Sequence, residues 1–166
     1  RYSQNAGLLA LRETIHDYYM RKENLDYMAD GETIVTVGAM EGLYLALLAL
    51  LDPGDEVLIP APYYVNYVQM CQMCNAVPVV IDNPDADGLT FNVEDIEAAI
   101  TPRTRLIMIN TPSNPSGKII PHEKLEAIAD IAKRHDLVVV SDEVYKSLIY
   151  DRDDYRSIAA IDGMRE

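Results

Sequence analysis

Short apolar runs recur along this chain, each separated from the next by a segment of helical periodicity, and that alternation most narrows what it can fold into. Residues 56–60, 77–81, 105–109 and 137–141 read as strands; 43–51, 63–73, 93–100 and 122–134 read as helices. Parallel neighbours need a crossover long enough to hold a helix, so the alternation predicts an α/β fold with a mostly parallel sheet. Two further segments come first: an amphipathic helix over 8–20, with Leu8, Leu11, Ile15 and Tyr18 or Tyr19 on one face, and a β-branched run at 33–37. Asp52-Pro53-Gly54-Asp55 has turn chemistry, and Asn92 reads as the N-cap of 93–100, with Glu94 and Asp95 in its first turn.

At 166 residues the chain is of single-domain size, with no internal repeat, linker or boundary. A net charge of −13 argues against a nucleic-acid partner, which needs clustered Lys and Arg. No basic segment followed by an apolar one opens the sequence, and the longest apolar stretch, 43–51, is too short to cross a bilayer. Cys71 and Cys74 form one C-x-x-C without a second ligand pair, which reads as two small residues on a helix face rather than a zinc site. His16, His122 and His135 are scattered and read as surface or core residues. Asp82, Asp85 and Asp87 lack the glycine and terminal glutamate of an EF-hand loop and read as a polar turn, and 151–154 as a solvated loop. The expectation is a reduced, cytoplasmic chain with no metal, no membrane and no nucleic acid.

Two of the strand-like runs end in hydrogen-bonding residues. Asp142 closes 137–141 and leads into Glu143-Val144-Tyr145; Asn110-Thr111-Pro112-Ser113-Asn114-Pro115-Ser116-Gly117 follows 106–109. Such ends imply a ligand crevice at the carboxyl edge of the sheet. A carboxylate ending an apolar run needs specific solvation or a crevice mouth, and beside a ring nitrogen it would keep that nitrogen protonated. Asn114, bracketed by prolines, either presents its amide to a ligand oxygen or forms an ordinary Asx turn. Thr36-Val37-Gly38-Ala39-Met40 runs from the β-branched segment into a helix start, a geometry that suits a phosphate but also occurs as a plain connection. Tyr63, Tyr64 and Tyr67 at another strand end offer a flat ring for stacking, or simply pack on their neighbours.

Jointly these segments resemble the class I/II aminotransferases, fold-type I enzymes that use pyridoxal 5'-phosphate. The strongest marks are Asp52-Pro53-Gly54-Asp55-Glu56-Val57, the segment Asn110 to Gly117, and Ser141-Asp142-Glu143-Val144-Tyr145; the likeness runs from Tyr2 to about Ile158. The resemblance implies a three-layer fold-type I large domain. It sets Asp142 against the pyridine nitrogen, Asn114 and Tyr145 at the ring's 3-oxygen, and Tyr64 on the ring face. Ala39 and Met40, led by Gly38, would hold the phosphate. Tyr2 matches a tyrosine that reaches the phosphate of the neighbouring subunit, which implies a homodimer. The implied reaction is amino-group transfer between an amino acid and a 2-oxo acid.

The same resemblance marks what is missing. The family's catalytic lysine lies in a Ser-x-Ser-Lys-like segment downstream of the aspartate–tyrosine motif. None of Lys22, Lys118, Lys124, Lys133 and Lys146 matches it, so no catalytic residue is assigned within this chain. The small domain carrying the substrate-binding arginine is absent too. Residues 1–166 are therefore expected to be a truncated large domain, inactive alone, with a gap in its sheet between a first strand at 33–37 and the strand ending at Asp142. A carbon–sulfur lyase or amino-cyclopropane synthase shares the ring-binding residues. A binding protein without the lysine is the rival of another class.

Overall fold

A computed structural model describes residues 4–82, 91–150 and 155–165. Its four strands, β1 (Glu56–Pro60), β2 (Val77–Ile81), β3 (Thr104–Asn110) and β4 (Val138–Asp142), are parallel and ordered β2-β1-β3-β4. Among the described residues the α-helices are α1 (Leu9–Glu23), α2 (Gly38–Leu50), α3 (Asn66–Met73), α4 (Val93–Ala98) and α5 (His122–His135). Strand side chains alternate between faces, so each central strand feeds two cores. Leu58, Ile107 and Ile109 pack with Ile96 of α4 and Leu125, Ile128 and Ala132 of α5. Val57, Ile59, Leu106 and Met108 face the other way, against Leu43 and Leu47 of α2 and Tyr67, Met70 and Cys71 of α3. The expected three-layer α/β sandwich follows.

Several local expectations give way. Residues 33–37 are not a strand. A β-branched run needs a ladder partner, and this one is held to the N-terminal segment by the Val35 N–H donating to the Ala6 carbonyl at 3.0 Å. Gly7 permits that approach: its φ is +93°, and a Cβ there would lie 2.7 Å from the Val35 Cβ. Beside β4, where the gap was expected, lies a cavity of about 780 Å³ lined by Thr33 and Ile34 and by Val138 and Val139 of β4. The predicted apolar stripe of α1 is also displaced. Leu8 and Leu11 are exposed, while Arg12 is buried with its guanidinium donating to the Ala29 carbonyl and to Gln4 Oε1.

The helix after β1 starts at Asn66 rather than 63, because the Ala61 N–H still bonds the Ile81 carbonyl at 2.9 Å and keeps the chain extended. Asn92 precedes α4, but its amide donates to the Asp95 carboxylate at 3.2 Å instead of capping a backbone N–H. Asp85, Asp87 and residues 151–154 lie outside the described residues. Among the described residues no helix is long and apolar enough to cross a membrane, and no group of three or more His, Cys, Asp or Glu could hold a metal ion.

At the amino edge of the sheet, buried Glu56 accepts from Thr101 Oγ1 at 2.5 Å and from Arg103 Nε at 3.0 Å. These bonds, the Thr101 hydroxyl first and then Arg103, hold its carboxyl below the ordinary glutamate value. A depressed folded-state pKa contributes stability that is present above the unfolded value, about 4.3, and fades as pH falls through the folded one. Thermal midpoints of wild type and Glu56→Gln, followed from pH 7 to pH 3, are expected to converge on acidification. Curves that stay parallel would remove Glu56 from the acid limb.

Candidate active site

The carboxyl ends of β1, β3 and β4 open onto one crevice. Asp142, the last residue of β4, is 9% exposed. Its Oδ2 accepts from the Tyr67 hydroxyl at 2.7 Å and its Oδ1 from the Val144 N–H at 3.1 Å. Burial, and then the Asp142 carboxylate, push the Tyr67 phenol far above its ordinary value, so Tyr67 remains a donor. No cation pairs with Asp142 among the described residues, which leaves a buried carboxylate held by neutral donors alone.

β3 ends beside it. Asn110 Nδ2 donates to the Asp142 carbonyl at 2.9 Å, and Asn110 Oδ1 accepts from the Asn114 N–H at 2.6 Å. One amide thereby ties the Asn114 turn to the end of β4. Asn114 and Tyr145 line a common open cavity of about 590 Å³. At the end of β1, the Tyr64 and Tyr67 rings meet edge to face, 5.6 Å between centroids. Asn66 Nδ2 donates to the Tyr64 hydroxyl at 3.0 Å and lies 3.9 Å from Met40 Sδ, which brings the start of α2 alongside.

α2 starts at Gly38, whose φ of +79° is the left-handed turn that glycine adopts without strain. Thr36 Oγ1 donates to the Gly38 carbonyl at 2.9 Å, the Gly38 N–H bonds back to Thr36 O, and Glu41 accepts from the Val37 N–H. The first-turn N–H groups that follow, those of Ala39 and Met40, precede the helix's own acceptors.

Asp142, Asn114, Tyr145, Tyr64 and the Gly38–Met40 turn thus gather at one sheet edge, while Tyr2 lies outside the described residues. The two lysines nearest the motifs point elsewhere. Lys146 Nζ is bound to Glu23 at 2.6 Å, and Lys118 lines a small cavity with Ser113 and Ile120. Sequence reasoning took Tyr67 only as a ring for stacking and Asn110 only as the start of its motif, and missed the bonds by which Tyr67, Asn66 and Asn110 join the site residues to one another. Tyr67 lies three residues after Tyr64, one turn into the entry to α3, and that spacing was the available signal.

Solved aminotransferases share this arrangement of sheet and helices. N-Succinyldiaminopimelate aminotransferase of Mycobacterium tuberculosis matches 100% of this chain, with 38% identity and a TM-score of 0.94, over 44% of its own length. The aromatic aminotransferase of Pyrococcus horikoshii matches 99% of the chain, with 38% identity and a TM-score of 0.93, likewise over 44% of its length. The fold is that of a fold-type I aminotransferase large domain. Among curated relatives, the aspartate aminotransferase of Geobacillus stearothermophilus is 40% identical over 161 residues, 97% of this chain and 41% of that protein. The family model for aminotransferase class I and II matches residues 1–166, and the chain belongs to that family. It spans about two fifths of the length of these relatives.

Proposed function

We propose that the complete protein transfers amino groups between an amino acid and a 2-oxo acid with pyridoxal 5'-phosphate, residues 1–166 supplying the cofactor-binding large domain. The observation that carries this is Asp142: a buried carboxylate at a strand end, held by the donors Tyr67 and Val144 and paired with no cation among the described residues. Such a group suits a protonated pyridine nitrogen. When bound, the pyridinium ring supplies the electron sink for the reaction. Asp142 would hold the proton on that nitrogen, and Asn114 and Tyr145 would orient the ring through its 3-oxygen. Tyr64 would cover one ring face and keep water from it. The N–H groups of Ala39 and Met40, after the turn at Gly38, would bind the phosphate, aided by the positive end of α2.

A homodimer, with Tyr2 reaching the phosphate in the neighbouring subunit, accords with the apolar surface left on α2 (Leu45, Leu48, Leu50) and near the start of α1 (Leu8, Leu9, Leu11). A reducing, cytoplasmic setting suits the two free, buried thiols of Cys71 and Cys74.

The test is to purify the complete protein, add pyridoxal phosphate, and record its visible spectrum and its products with amino-acid and 2-oxo-acid pairs. A bound chromophore and a new amino acid are expected. Pyruvate and ammonia from cysteine-type substrates would instead mark a lyase; no chromophore and no turnover would leave a binding protein.

A further inference from the structure

The segment 142–146 has two sides. Asp142 and Tyr145 belong to the crevice described above, on the side of α3 and Asn114. Glu143 and Lys146, each one residue further on, belong to the opposite side, toward α1. There Lys146 Nζ donates to Glu23 Oε1 at 2.6 Å, lies 3.8 Å from Glu143 Oε2, and sits 3.8 Å from the centroid of the Tyr19 ring. Tyr18 is next, with 5.5 Å from its ring centroid to the ammonium. Glu143 in turn accepts from Ser141 Oγ at 3.1 Å and Ser157 Oγ at 2.6 Å. Side chains of Lys146, Glu23 and Glu143 are only 12–13% exposed.

Two features make this more than a surface ion pair. Burial alone would lower the Lys146 pKa, yet the Glu23 hydrogen bond and Tyr19 hold it above the ordinary lysine value, so the ammonium stays charged. Among the described residues the site has two carboxylates for one ammonium, and Glu23 Oε2 is buried without a hydrogen-bond partner. Among the described residues Lys146 is the cation that both carboxylates share. It is attached to the backbone one residue beyond Tyr145, at the first position of a short 3-10 turn closed by the Leu148 N–H donating to the Tyr145 carbonyl.

We infer that Lys146 is a positioning residue for cofactor binding: its bond to Glu23 pins the 142–146 segment to the last turn of α1 and so sets Tyr145 at the ring's 3-oxygen. The inference rests on the functional reading given above. Preorganisation of this kind matters because a hydrogen bond to a ligand weakens steeply as its donor drifts. α1, far along the chain from the crevice motifs, becomes the fixed wall against which the crevice is built.

The experiment uses the complete protein and reads the cofactor rather than turnover. Wild type, Lys146→Met, Lys146→Arg and Glu23→Gln are titrated as apoprotein with pyridoxal phosphate, and the visible band of each loaded protein is followed against pH. A donor to the 3-oxygen disfavours a proton on that oxygen, so loosening Tyr145 raises the pKa of the band. Lys146→Met and Glu23→Gln are expected to raise it by about half a unit or more and to weaken cofactor affinity roughly three- to tenfold. Lys146→Arg, which keeps the cation, is expected to recover most of both. Glu23→Gln guards against misfolding, since it weakens the anchor from an ion pair to a neutral hydrogen bond while the buried ammonium keeps Glu143. Variants whose band and affinity match wild type would overturn the inference. So would losses that merely track the fraction unfolded in a melt. A wild type with no cofactor band at all would sink the functional reading itself, and this inference with it.

Discussion

Asp142→Asn is expected to lower kcat/KM of the complete protein roughly a hundred- to a thousandfold, with little change in melting temperature. The substitution isolates charge from shape. An asparagine can turn its oxygen toward the Val144 N–H and its amide toward Tyr67, whose hydroxyl can accept as readily as it donates. Both contacts survive, and only the negative charge is lost. At a strand end as buried as Asp142, a charge aimed at a ring nitrogen is worth far more than a hydrogen bond in water. Tyr67→Phe is the control of opposite kind, removing a hydrogen bond and keeping the charge. About 0.5–1.5 kcal/mol is at stake there, a factor of roughly two to ten. Steady-state kinetics on both variants, with the visible spectrum of the bound cofactor, separates the two effects. Equal losses would mean that the charge on Asp142 matters no more than its hydrogen bond to Tyr67.

Ile107→Ala should have the largest effect on stability, about 2–5 kcal/mol. Ile107 is fully buried in β3, between β1 and β4, and belongs to the core with Leu58, Ile109, Leu125 and Ile128. The reduced β-propensity of alanine is worth at most about 1 kcal/mol, so the vacated volume dominates. Neighbouring strands are fixed by their ladders, which limits how far the site can collapse. Denaturant titration measures the loss. A change under about 1 kcal/mol would mean that α5 shifts to refill the space, as relaxation does at tolerant core sites.

Much of the scaffold was legible because two periodicities carried it. Apolar runs at 56–60 and 105–109 became the central strands β1 and β3, since a pleated surface buried on both faces needs such side chains in succession, and the β-branched run at 77–81 became the outer strand β2. α5 was legible from Leu125, Ile128, Ala129 and Ala132, which share one helical face and are all buried. Elsewhere local pattern lost to distant contacts. Residues 33–37 have strand composition, yet composition cannot supply a ladder partner. On α1 the apolar stripe misled because Arg12 finds its partners at Gln4, Ala29 and Asp30, and no periodicity encodes a buried guanidinium with such partners. The site divides the same way. Asp142 and Asn114 were legible from their places at the ends of apolar runs. The roles of Tyr67 and Asn110 were not, because each depends on a bond to Asp142 that only the folded sheet brings within reach.

The sheet's two outer strands are unlike, and the difference bears on how the chain behaves in concentrated solution. β2 carries Pro78, which has no N–H to offer a newcomer, whereas β4 is Val-Val-Val-Ser-Asp, with Val138 44% exposed and no strand beyond it among the described residues. A molecule with one sticky margin and one blunted margin can join a second copy through the sticky side, after which neither partner offers a good seam for a third. Crowding this chain should therefore yield pairs that stop growing, not the open-ended stacking of fibrils.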